Sequence, residues 1–300
     1  MRRLRTLLFS ARTCSVVAPV GALLSMISTQ ALHASSLTVI LDAGHGGDDH
    51  GAVRRLGGKT IAEKEITLNL ARLTKRYLLN RGARVILTRS KDNFIGLDQR
   101  VEIANQVSSR SPSTVFVSIH ANSNVDARSS GIETYVFNAT NNEASRRLAD
   151  LENGKRFQQS HEPLELIMSD LATTANYAES VKLACAIQSS VVSGLKEKKM
   201  PARNRGIHQA LFYVLMQTRM PGILFEPGFI SNPQELLHLM TPSYQNLLAQ
   251  RLGQGILDWW RSQRQKRALA STHSHQEALK ISGISKTKNQ KPNWCFVIKE

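Results

Sequence analysis

From Ser36 to about Trp260 the chain alternates two hydrophobic patterns. Short apolar runs bounded by glycine or polar residues predict buried strands in "SLTVILDAG", "ARVILTRS", "STVFVSIHAN", "GIETYVF", "ALFYVL" and "GILFEPGFISN". Between them, apolar positions recur at helical spacing. In "EKEITLNLARLTKRYLLNRG", Leu68, Ala71, Leu73, Tyr77 and Leu78 fall near one face and Gly82 marks a stop. "LDQRVEIANQVSS" predicts a second helix, and helices close the region from "PQELLHLM" to "DWWRSQ". Val- and Ile-rich strands alternating with helices predict an α/β fold. The expected architecture is a twisted, mostly parallel or mixed sheet of about six strands, helices on both faces, and a helical insertion.

That insertion spans residues 141–195, almost wholly helical in pattern, between the fourth and fifth expected strands. At the N-terminus, "MRRLR" precedes a short apolar segment and the small residues of "STQALHASS", the pattern of a secretion signal over 1–34. The remaining expectation is one domain over 35–262 and a basic, disordered tail over 263–300, with no stable membrane span. Lys and Arg number 39 against 23 Asp and Glu, a formal net charge of +16. Such a charge favours anionic partners, though much of it sits in the leader and the tail. Nucleic acid is disfavoured, because the sequence lacks aromatic-interleaved basic stretches and opens on an export leader. Of three cysteines, Cys14 falls in the leader, and Cys185 reads as a small core residue rather than half of a disulfide.

Candidate chemistry gathers at the C-terminal ends of the expected strands, where open α/β sheets place their ligand crevice. His45 follows the first strand in "DAGHGG", His120 ends the third in "VSIHAN", and Glu226 ends the last in "LFEPGF". Glu63 and Glu65 open the first helix, where exposed N–H groups favour a carboxylate. Two histidines and one carboxylate form a catalytic zinc set with an open fourth position, and a further carboxylate can serve as general base. Each residue alone reads as readily as a turn, cap or surface group; their shared sheet edge is what joins them. Spacing does not choose between Glu63 and Glu65. Asp42 is a candidate partner for a ligand histidine or a turn cap, Asn122 and Asn232 are polar contacts to strand ends or substrate with the structural role favoured, and His50 is a loop residue.

Taken in order, "LDAGHGG", "AEKEITLNLA", "LTRSKDNFIGLDQRVEIAN", "FVSIHAN", "GIETYVF", "RGIHQALFYVL" and "MPGILFEPGFISN" resemble the motifs of zinc-dependent N-acetylmuramoyl-L-alanine amidases of the amidase-3 type. The resemblance covers residues 37–260. It implies Zn²⁺ bound by His45, Glu63 and His120, with Glu226 as catalytic base, and so selects Glu63 over Glu65. The implied reaction cleaves the amide between N-acetylmuramic acid and L-alanine in peptidoglycan, for cell-wall remodelling or daughter-cell separation in the periplasm. The insertion resembles that of cell-division amidases, in which a helix blocks the site until a protein activator binds. An acid within it would then cap the zinc, Glu152 first and Glu143 second; otherwise the insertion is a helical hairpin packed on the surface. A zinc peptidase acting on another wall bond, or a non-catalytic wall-binding regulator, are the alternatives.

Overall fold

A computed structural model describes residues 36–154 and 171–277. The expected signal segment and the tail beyond 277 lie outside the described residues. Six strands form one sheet: β1 (Thr38–Ala43), β4 (Arg84–Leu87), β5 (Thr114–Ile119), β6 (Ile132–Phe137), β7 (Asn204–Ala210) and β8 (Gly222–Glu226). Their order is β4-β1-β5-β8-β6-β7. The first four in this order are mutually parallel; β6 runs antiparallel to β8, and β7 runs parallel to β6. The sheet is therefore mixed.

Alternation along the strands divides the core into two layers. Val39, Leu41, Val115, Val117, Ile223 and Phe225 face α1 (Glu63–Leu79), α4 (Leu171–Glu197) and α7 (Pro242–Glu277). Ile40, Phe116 and Leu224, on the opposite face, meet α2 (Leu97–Arg110), α3 (Glu143–Asn153) and α5 (Tyr213–Met216). A strand covered on both faces needs apolar side chains at every position, which is why these segments read as continuous runs. Each such side chain contributes about 1.5–3 kcal/mol on burial. Helix α6 (Pro233–Leu239) completes the fold, capped by Asn232, whose side chain accepts from the backbone N–H groups of Gln234 and Glu235.

Five expectations change. A hairpin of β2 (Val53–Leu56) and β3 (Lys59–Ala62) precedes α1, closed by Gly57 and Gly58 at φ 56° and 78°. Consecutive positive φ values are what a two-residue hairpin turn needs and what Gly-Gly supplies. The fifth strand is not "ALFYVL". β7 ends at Ala210, and the apolar run becomes α5, which places Val214 and Leu215 in the second core layer. A short apolar run does not by its period distinguish strand from helix, and the polar residues of the edge strand β7 hid its alternation. The residues read as an insertion divide into two parts: α4 is a core helix, burying Leu183, Ala184, Ile187, Val191 and Leu195 in the first layer, whereas α3 packs on the other face through Leu148 and Ala149. Helix α7 continues past Arg264 to Glu277, so the start of the expected disordered tail is helical. Cys185 is half-buried and disulfide-bonded, which corrects its reading as an unpaired core residue.

Candidate metal centre

Where β1 ends, the backbone turns sharply. His45 has φ 59°, a left-handed conformation rare outside glycine, and the bend is closed by backbone hydrogen bonds between Gly46 and Asp49. Two buried arginines fix this turn by its carbonyl oxygens. Arg89 donates to those of Ala43 and Gly44, and Arg100 to those of Ala43 and His45. Asp42 anchors Arg100 at 2.6 Å and also accepts from Thr88 and Ser118. Burial opposes its ionisation, yet Arg100 and the hydroxyl donors hold its carboxyl below the ordinary 3.8. Asp42 therefore touches neither imidazole and caps no turn; it braces the loop through Arg100.

The residue that orients His45 is Asp49, whose Oδ2 lies 2.9 Å from His45 Nδ1. This contact turns Nε2 toward Glu63, the first residue of α1. Glu63 is fixed in turn by two backbone N–H groups, Ala52 to Oε2 at 3.0 Å and Ala121 to Oε1 at 2.9 Å. Its Oε1 lies 3.2 Å from both His45 Nε2 and His120 Nδ1. From α3, Glu152 Oε2 approaches to 3.3 Å from His45 Nε2 and 3.0 Å from His120 Nδ1. All four donor atoms lie within 4.8 Å of one another. Glycine makes the cluster compact: a Cβ on Gly44 would stand 2.5 Å from the His120 ring, and one on Gly51 2.6 Å from His45.

Electrostatically, the cluster is two imidazoles between two carboxylates. Burial disfavours protonation of both histidines, but Glu152 and Glu63 raise His120 to about 10, and Glu63, Asp49 and Glu152 together drive His45 far upward. Burial would raise Glu63, but the two histidines hold it well below the carboxylate range. The charge that satisfies two carboxylates here can equally come from one divalent cation. Tetrahedral zinc with ligand bonds of 2.0–2.2 Å sets its donors roughly 3.3 Å apart, close to the spacings above. Among the described residues, His45 Nε2 and Glu152 Oε2 also lack a hydrogen-bond partner despite burial. The donor set fits a zinc ion.

Glu226 ends β8 fully buried, and among the described residues neither carboxylate oxygen has a hydrogen-bond partner. Burial pushes its carboxyl well above the usual range; His120 opposes the shift, and the Glu63, Glu152 and Glu133 carboxylates add to it. It stands beside the four-donor cluster rather than in it. Glu65 and Glu143 are exposed, so within each pair of candidate acids it is Glu63 and Glu152 that reach the histidines. His50 is exposed too. Asn122 donates to Glu133, and Asn232 caps α6, so both serve the scaffold. Asp49, Arg89 and Arg100 were missed in the sequence, although the first lies four residues after His45 and the other two within "LTRSKDNFIGLDQR". A cavity of about 180 Å³ adjoins His45 and His120, walled by Phe94, Ile95, Phe212, Val214 and Leu224, with Glu152 and Asn153 along one side.

A two-layered α/β sheet with two histidines and two carboxylates converging at one edge gives a crevice whose donor set fits a metal ion. The family described as N-acetylmuramoyl-L-alanine amidase matches residues 39–258, and the chain belongs to that family. It is 33% identical over 233 residues to the N-acetylmuramoyl-L-alanine amidase AmiA of Escherichia coli, covering 74% of this chain and 75% of the other. Among solved structures, an N-acetylmuramoyl-L-alanine amidase from Clostridium difficile superposes with a TM-score of 0.57 at 29% identity, covering 76% of this chain and 98% of that one. AmiC2 of Nostoc punctiforme does so with a TM-score of 0.54 at 29% identity, covering 75% and 97%.

Proposed function

We propose that this protein hydrolyses the amide bond between N-acetylmuramic acid and L-alanine of peptidoglycan, with Zn²⁺ held by His45 Nε2, His120 Nδ1 and a carboxylate oxygen of Glu63. Family membership supports the reaction. The observation that carries the site is the convergence of donor atoms from β1, α1 and β5, with His45 Nε2 buried and otherwise unpartnered. When bound, Zn²⁺ supplies Lewis acidity toward the scissile carbonyl and the attacking water. Asp49 holds the His45 ring, and the Ala52 and Ala121 N–H groups hold Glu63, so the ligands need little rearrangement. A carboxylate oxygen of Glu226 takes a proton from the attacking water and delivers it to the amide nitrogen as the C–N bond breaks. The products are the lactyl carboxylate and a peptide with a free amino terminus.

Glu152 stands where a three-ligand catalytic site keeps its open position. This favours a resting form closed by α3, opened when a protein activator draws that helix away. The signal-like leader supports export to the periplasm, and among the described residues no helix is long and apolar enough to cross a membrane. The test is zinc analysis together with digestion of purified peptidoglycan, for wild type and Glu226→Gln. Retained zinc with lost hydrolysis is expected of the variant; a fully active variant would remove Glu226 from its role. Mass spectrometry of the products separates the amidase from a peptidase, since only the amidase releases intact stem peptides.

A further inference from the structure

Strand β6 runs opposite to β8, and β7 follows β6. The beginnings of these two strands therefore lie at the same sheet edge as the ends of β1, β5 and β8, which carry His45, His120 and Glu226. Glu133 is the direct cross-strand neighbour of Glu226. It is buried and accepts three hydrogen bonds, from Asn122 Nδ2 and Tyr135 Oη at 2.8 Å each and from Arg205 Nε. Arg205 occupies an irregularity in the ladder: Ile132 pairs with Asn204 and Glu133 with Gly206, which leaves Arg205 unpaired between them. Such a bulge re-aims a side chain, often beside an active site.

The surroundings hold that side chain in place. A Cβ on Gly131 would come within 2.8 Å of Arg205 Cγ, so glycine makes room for its stem. The guanidinium carbon lies 5.3 Å from the centre of the Phe229 ring. With Nε engaged by Glu133, the Nη nitrogens remain as a fork; among the described residues they make no hydrogen bond, and the side chain is 31% exposed. Such a fork matches a carboxylate. Arg54, the cation on the neighbouring hairpin, differs: it is exposed, reaches Ser123 at 3.3 Å and pairs with no buried acid among the described residues.

We infer that Arg205, positioned by Glu133, binds a carboxylate on the peptide portion of the substrate. The inference rests on the amidase reading above. Two strand spacings separate β8 from β7, roughly 10 Å between Glu226 and Arg205. An extended peptide covers that distance in about three residues, so the carboxylate belongs to the second or third residue beyond the cleaved amide. Arg205 is thus a specificity residue, and Glu133 a positioning residue that acts through it.

The test compares a soluble muramoyl peptide carrying carboxylates at those residues with the same peptide as its carboxamide. It uses zinc-loaded enzyme in the Glu152→Ala background, so that α3 does not mask turnover. The parent enzyme should show KM roughly 10- to 100-fold higher for the carboxamide, the usual size of a charged hydrogen-bond pair, with kcat little changed. Arg205→Gln should raise KM for the carboxylate peptide by a similar factor and leave the carboxamide unaffected. Glu133→Gln should change KM in the same direction and by less. Arg205→Lys, which keeps the charge but loses the fork, should fall between parent and Arg205→Gln and serves if the latter does not fold. Equal losses on both peptides, with native melting and zinc content, would make Arg205 merely structural and overturn the inference. Should the parent cleave neither peptide nor whole peptidoglycan, the amidase reading itself falls.

Discussion

If α3 closes the site, the polar contact that fastens its C-terminal end should control basal activity, and that contact is made by Asn153. The residue next to Glu152 ends α3 with its side chain buried, donating to the Leu211 carbonyl at 2.8 Å and accepting from the Tyr213 N–H at 2.7 Å. Apart from these bonds, α3 meets the domain mainly through Leu148 and Ala149. Asn153→Ala removes both bonds and strands a carbonyl and an N–H in the closed form, while in the open form both groups can reach water. The penalty falls on the closed state alone, at about 1–3 kcal/mol. That corresponds to a shift of about 5- to 150-fold in the closed-to-open ratio. From an enzyme about 99% closed, basal turnover would rise about 5- to 60-fold, approaching saturation only at the upper end. The assay is release of dye from labelled peptidoglycan without added protein, with Glu152→Ala marking the uncapped ceiling. A folded, zinc-loaded Asn153→Ala that hydrolyses no faster than wild type, beside an accelerated Glu152→Ala, would show that α3 is not held through this contact. If neither variant is faster, Glu152 does not inhibit.

Three further outcomes follow from the frame around the donors. Arg100→Met leaves Asp42 buried without its cation, and removal of one partner of a buried pair costs about 3–5 kcal/mol, to be read as a lower melting temperature and denaturant midpoint. Because the Asp42 carboxyl is held below its ordinary value, the pair's contribution is complete above about pH 4 and fades as pH falls through the depressed value; Asp42→Asn should flatten this part of the acid-unfolding curve, and an unchanged slope would contradict the assignment. Gly44→Ala drives a methyl group into the His120 ring, so zinc affinity measured by competition with a chelator should fall at least tenfold, and native affinity would show that the ring has room to move.

What the sequence made legible depended on strand direction. His45, His120 and Glu226 stood out because β1, β5 and β8 run the same way and end at the same edge, where a search for ligands begins. Glu63 needed the family resemblance to separate it from Glu65, since both open α1 and only the fold shows which one turns inward. Glu133 and Arg205 lie at the same edge but at the beginnings of strands, because β6 is reversed against β8. No local pattern announces that reversal, for an apolar run is the same read in either direction. Arg205 was doubly hidden, lying in an edge strand whose polar residues led the strand to be placed at "ALFYVL" instead. Asp49 and the two bracing arginines escaped for a related reason: their partners are backbone carbonyls and an imidazole set by the turn at His45, which exists only once the chain has folded. The reversal has a chemical consequence. A wholly parallel sheet would send the starts of β6 and β7 to the far edge, leaving Glu226 without a carboxylate on the adjacent strand. Turning β6 around puts the buried acid Glu133 beside Glu226, and Arg205, paired to that acid, keeps its charge from accumulating there.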